Sequence, residues 1–92
     1  MKYMVAELMF KALKAWHEGG YIHMVLSDRK QVSFPVDLND KLRNASHDQL
    51  NNIEIICNGT GLHWPDLDED LSVTGIMEGR FGKRDEQQTF EG

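Results

Sequence analysis

A single small α+β domain is the fold the sequence predicts: an antiparallel sheet, built from a hairpin and one or two further strands, with short helices packed against it. Three observations lead there. Residues 21–26 and 31–36 alternate apolar and polar side chains on either side of a polar turn, as hairpin strands do. Residues 53–57 alternate again and stop at Asn58-Gly59. Ser46 and Ser72 each precede a short stretch able to turn into a helix. The 92 residues leave room for one core rather than two.

At the N-terminal end, Val5, Leu8, Met9, Ala12, Leu13 and Trp16 fall at helical spacing, and Gly19-Gly20 would end such a helix. The same glycines would equally turn a strand over about residues 10–17 into the next one. In the hairpin, Ile22, Met24 and Leu26 point one way, and Val32, Phe34 and Val36 share a face on the return. Pro35 cannot donate to a ladder, so the second strand is expected at an edge. Asn39 or Asp40 is placed to cap a short helix that buries Leu42. Ser46-His47-Asp48-Gln49 has the form of a capping box, with Leu50 and Ile53 reaching the core. The alternation at 53–57 sets Ile53, Ile55 and Cys57 on one face, which makes Cys57 a small buried apolar residue.

From Gly59 to Gly79 the chain carries its most unusual chemistry: a glycine turn, a short strand at 62–64, an acidic bend and a helix at 73–78 capped by Ser72. Asp66, Asp68, Glu69 and Asp70 place four carboxylates in five positions. They are expected to face solvent near the positive end of the last helix, with Leu67 and Leu71 turned inward. Gly79 stops the helix. Residues 1–80 form the domain, and the charged residues 81–92 read as a flexible tail, anchored at most by Phe81 and Phe90.

Composition excludes more than it assigns. A net charge of −5 opposes binding to nucleic acid, whose phosphates select lysine and arginine, and favours a basic protein partner. A lone cysteine permits no internal disulfide, which suits a reducing cytoplasm. Glu7 and Lys11 break the N-terminal apolar run, and no stretch approaches the roughly 20 apolar residues of a membrane span.

Two chemistries are available to the acidic stretch, and neither is well supplied. Asp66, Asp68 and Asp70 alternate like ligands of a calcium loop. However, no glycine makes the bend and no glutamate closes the site. Zinc would need more than one cysteine and scattered histidines. Cys57, His63 and Asp66 could form a nucleophile, a base and an orienting group, but a thiol on an apolar face lacks the electropositive setting a nucleophile requires. No catalytic residue, metal or cofactor is therefore assigned. Trp16 and Trp64 read as core, His17 and His23 as strand residues at a surface or edge, and Arg80, Lys83 and Arg84 as a solvated cluster.

Leu26-Ser27-Asp28, Phe34-Pro35, Ala45-Ser46, Gln49-Leu50 and the box Gly61-Leu62-His63-Trp64-Pro65 through Asp68-Glu69-Asp70-Leu71-Ser72-Val73 together carry a resemblance. The chain resembles the bacterial and phage proteins of the domain of unknown function 2442 family, over roughly residues 12–79. The resemblance implies a small α+β domain whose first strand is 12–17, turned by Glu18-Gly19-Gly20, and that reading is adopted over the helical spacing. His63, Trp64, Pro65 and Ser72 then belong to a structural signature. One departure stands out: Arg29 occupies the place where the family pattern has a turn glycine, so a longer or different turn is expected. Members of this family are similar to domains fused to helix-turn-helix segments and to small proteins encoded beside putative toxins.

The expected function is a non-enzymatic interaction module, antitoxin-like or regulatory, that offers Asp66, Asp68, Glu69 and Asp70 to a basic protein. The alternative is a phage-type inhibitor whose acidic face fills a groove meant for nucleic acid. A homodimer contact along a sheet edge is also expected, since unpaired strand edges need cover.

Overall fold

The structure, a computed structural model, describes residues 10–82. The expectations for residues 1–9 and for the tail at 83–92 lie outside the described residues. Gly19 and Gly20 both take positive φ, +65° and +84°. Two such residues in succession make the tight turn whose twist matches a hairpin. They join β1 (Ala12–Glu18) to β2 (Tyr21–Leu26), so the first segment is a strand. Helical spacing there is overridden by pairing with β2 from Ala12↔Leu26 to Glu18↔Tyr21, with an irregularity at Leu13. Leu13, left out of the register, is 59% exposed.

β3 (Gln31–Pro35) returns along β2, placing Phe34 opposite Ile22 and Val32 opposite Met24. The β2–β3 turn does not lengthen to avoid Arg29. Arg29 itself adopts φ +77°, the conformation a glycine would take freely. Its N–H donates to the Leu26 carbonyl at 2.7 Å, and the Lys30 N–H donates to Asp28 Oδ1 at 3.0 Å.

A 3-10 turn (Val36–Leu38) leads out of the sheet. The helix expected after Asn39 is a run of turns instead, yet its cap is present. Asn39 Oδ1 accepts from the N–H groups of Lys41 and Leu42, both at 2.9 Å, and Leu42 is fully buried. The capping box at Ser46 opens α1 (His47–Asn51) as its sequence indicates, with Ser46 and Gln49 each accepting from the other's backbone N–H.

A second antiparallel sheet follows, β4 (Glu54–Ile56), β5 (Gly61–Trp64) and β6 (Glu69–Ser72), in that order. Cys57 corrects its expected place: it is exposed and lies in the β4–β5 turn, not buried on a strand. Cys57 and Asn58 both take positive φ, +54° and +56°, which ends the strand one residue earlier. Ile55 lies opposite Leu62, but at the outer strand of the sheet it remains 37% exposed.

β6 is the element the sequence did not reveal. Ser72 then caps α2 (Val73–Met77), with its hydroxyl accepting from the Gly75 N–H at 2.7 Å. The inner faces of the two sheets meet in one core: Ile22, Met24, Leu26 and Phe34 from the first, Leu62, Trp64 and Leu71 from the second, closed by Leu42, Leu50, Val73 and Ile76. Phe81 packs on Phe34 with ring centroids 5.1 Å apart, which is the anchor expected of it. No helix of the described residues is long and apolar enough to cross a membrane.

Candidate functional site

Strand alternation divides the four candidate carboxylates. Directly opposed residues of an antiparallel pair share a face, and β5–β6 pairing sets Trp64 against Glu69, His63 against Asp70 and Leu62 against Leu71. Trp64 is fully buried, so Glu69 faces the core as well and is only 4% exposed. Glu69 is therefore withdrawn from the expected contact surface. Its Oε2 accepts from Asn39 Nδ2 at 2.7 Å. Asn39, itself fully buried, also donates to the Phe81 carbonyl at 2.7 Å, so all four hydrogen-bonding positions of its amide are used. A buried carboxylate and a buried amide thus satisfy each other, as burial of polar groups demands. Among the described residues no buried polar side-chain atom lacks a partner.

The remaining three carboxylates face water. Asp70 holds His63 Nδ1 at 2.5 Å on the outer side of the sheet. That hydrogen bond raises the His63 pKa above the ordinary imidazole value; partial burial opposes the rise, and the charges of Asp70, Glu54 and Asp68 support it. Glu54 stands directly opposite His63 on β4, so one cross-strand row reads Glu54, His63, Asp70. Asp66 Oδ2 accepts from Asn52 Nδ2 at 3.1 Å, which ties the β5–β6 turn to the end of α1. Asp68 takes φ +53°, and its carbonyl, not its carboxylate, accepts from Lys41 Nζ at 2.8 Å. α2 is capped by the Ser72 hydroxyl, and Glu69 and Asp70 lie on the strand β6 rather than in a bend before the helix.

Of the signature residues, Ser72 caps α2 and Trp64 binds two elements together. Trp64 Nε1 donates to the Leu50 carbonyl at 3.0 Å, joining the second sheet to α1. His63 belongs instead to the outer row. Cys57, His63 and Asp66 do not come together as a nucleophilic constellation: Cys57 lies in the β4–β5 turn, and Asp70, not Asp66, orients the imidazole. Among the described residues there is no cluster of three or more metal-ligating side chains. Two histidines assigned no role beyond their strands prove engaged. His17 Nδ1 lies 2.8 Å from His47 Nδ1, and the His23 ring stacks on Trp16 at 5.3 Å.

The fold and this row define a class: a small α+β domain of two three-stranded antiparallel sheets that turns a mixed carboxylate–imidazole row to solvent. Residues 12–82 match the model of the family described as protein of unknown function DUF2442, and the chain belongs to that family. It is similar to a protein of unknown function from Rhodospirillum rubrum seen in a crystal structure, with 39% identity and a TM-score of 0.75 over 80% of this chain and 92% of that one. It is also similar to an uncharacterized protein from Chromobacterium violaceum solved by NMR, with 27% identity and a TM-score of 0.74 over 89% of this chain and 76% of that one. Comparison with curated proteins finds no match.

Proposed function

We propose that the domain is a protein-interaction module that presents the outer side of its second sheet to a basic partner, without carrying out a reaction of its own. The observation that carries this reading is the sorting of the acidic stretch: Glu69 is consumed inside, while Asp66, Asp68 and Asp70 stay outside beside Glu54. Among the described residues no lysine or arginine side chain forms an ion pair with any of these four outer carboxylates. Clustered carboxylates that no lysine or arginine of the described residues neutralises steer a cationic surface toward them and then pair with arginine or lysine. The net charge of −5 acts in the same direction.

The double variant Asp66→Asn, Asp68→Asn tests the reading, because both positions are exposed. Its melting temperature is expected to stay close to that of the parent. Recovery of a basic protein from host extract, identified by mass spectrometry, should fall at least about tenfold, equivalent to about 1.4 kcal/mol. Recovery from the parent should also fall steeply with added salt. Equal recovery by both proteins would remove the acidic row from function. The identity of the captured protein separates an antitoxin-like role beside a toxin from inhibition of a nucleic-acid-binding host protein.

A further inference from the structure

α1 is a five-residue helix held from two sides. The second sheet holds it through the Trp64 indole on the Leu50 carbonyl and through Asp66 on Asn52. The first sheet holds it by hydrogen bonds at the rim of β1. There the His17 N–H donates to Asn51 Oδ1 at 2.8 Å, and the His17 and His47 Nδ1 atoms meet at 2.8 Å with ring centroids 5.0 Å apart. His17 lies opposite Ile22, on the core-facing side of an edge strand.

We propose that His17 and His47 form a proton-operated clasp, which fastens α1 to the edge of β1 at neutral pH and releases it in mild acid. An Nδ1–Nδ1 hydrogen bond needs one nitrogen to donate and the other to accept. Two neutral rings of opposite tautomer satisfy this, and so does one neutral ring beside one imidazolium. Two imidazolium rings cannot: neither nitrogen accepts, and two positive charges face each other. The second proton therefore opens the contact, and the titration belongs to the pair, not to either ring.

The surroundings do not relieve that repulsion. Partial burial lowers the His17 pKa first, and the charges of His47 and of His23 on β2, both imidazoles, lower it further. His23 is itself committed to Ser33 Oγ and the Glu18 carbonyl, and Tyr21 packs on its ring. Lys14, on β1, lies over Trp16. The carboxylates on the elements around the pair are Glu18, Asp48 and Glu54, and among the described residues none forms an ion pair with either ring. Release leaves the His17 N–H without Asn51 and uncovers the outer edge of β1, and an open strand edge is a template for another strand.

Amide hydrogen exchange on the full chain reads the clasp at the His17 N–H. Between about pH 7.5 and about pH 5, after correction for intrinsic rates, His17 should lose at least about tenfold of its protection relative to Met24 on the central strand. Tenfold is the effect of one pH unit on one proton equilibrium. In His47→Gln, which keeps a polar side chain but takes up no proton, that loss should vanish. No loss in the parent, or an equal loss in the variant, overturns the proposal. If His47→Gln leaves His17 unprotected already at about pH 7.5, ring titration of the parent by NMR decides. His17 and His47 must then titrate together over the range in which protection falls, and independent titration overturns the clasp.

Discussion

Trp64 shows how one residue can hold two elements. Its ring is fully buried between the sheets, and its indole N–H reaches the Leu50 carbonyl. Trp64→Ala is expected to cost about 3–5 kcal/mol, the range for truncating a large core aromatic, and urea unfolding followed by circular dichroism measures it. Asn39 is the polar counterpart. Asn39→Ala removes the side-chain donor to Glu69 Oε2 and leaves only the longer bond from the Asp70 N–H to Oε1, and weakening the pairing of a buried hydrogen-bonded carboxylate in this way costs about 1–3 kcal/mol. Adding Glu69→Leu to Asn39→Ala should recover part of that loss, because the weakly paired charge is then gone. Failure of the second change to recover any stability would show that the pair matters chiefly through the backbone contacts of Asn39. Residue chemistry thus decides the fate of the acidic stretch: Glu69 is an internal bond, and its neighbours are surface charge.

At the scale of elements, turns and caps set where each strand and helix ends. Arg29 at φ +77° pays a left-handed penalty that glycine escapes. Arg29→Gly is therefore expected to stabilise the β2–β3 hairpin by about 0.5–1 kcal/mol, after the added flexibility of glycine in the unfolded chain is subtracted. A higher urea midpoint at unchanged slope would register it. Ser72→Ala should lose about 1 kcal/mol, since the Gly75 N–H would have no acceptor, while Ser72→Gly should lose only a few tenths. Equal losses would show that the hydroxyl acts elsewhere than at the cap. Gly82, at φ +75°, is fixed by space as well: a methyl group there would come within 3.0 Å of Leu71 and 3.1 Å of Asn39 and Glu69. Close approach to the Asn39–Glu69 bond thus extends the ordered chain past α2.

For the whole molecule, two histidines of opposite sense shape stability against pH. The pKa of His17 is lowered on folding, so the unfolded chain takes up its proton first. Its contribution is complete above about pH 6.5, the unfolded imidazole value, and is lost as pH falls below it. The pKa of His63 is raised, so its contribution is complete below about pH 6.5 and is lost as pH rises through the folded value. Together they put the histidine optimum at about pH 6.5. Urea midpoints between about pH 5.5 and about pH 8 should fall to both sides of it. Asp70→Asn should flatten the alkaline limb, whereas His47→Gln should lessen the acidic one and leave the part set by burial of His17. A profile that neither substitution changes would show that Asp70 and His47 do not set the contributions of His63 and His17.

The α+β class, the 21–36 hairpin, the capping box at Ser46, the cap at Ser72 and the burial of Trp64 were all legible in the sequence, because each rests on neighbours within a few positions. The strand character of 12–17 was legible only through family resemblance. Its residues satisfy a helical period and an extended one alike, and pairing with β2 chose between them. β6 was hidden because Glu69 and Asp70, its first two residues, are poor strand formers in isolation. The ladder to β5 forms it regardless, and the same register turns Glu69 inward to an Asn39 that lies thirty positions away. Likewise Cys57 looked like the last inward residue of a strand until two consecutive left-handed residues turned the chain toward β5. The meeting of His17 with His47 is of the same kind. Local patterns name caps, turns and alternation, but which side chains share a face across two sheets is set by register, and register is settled only when the whole core packs.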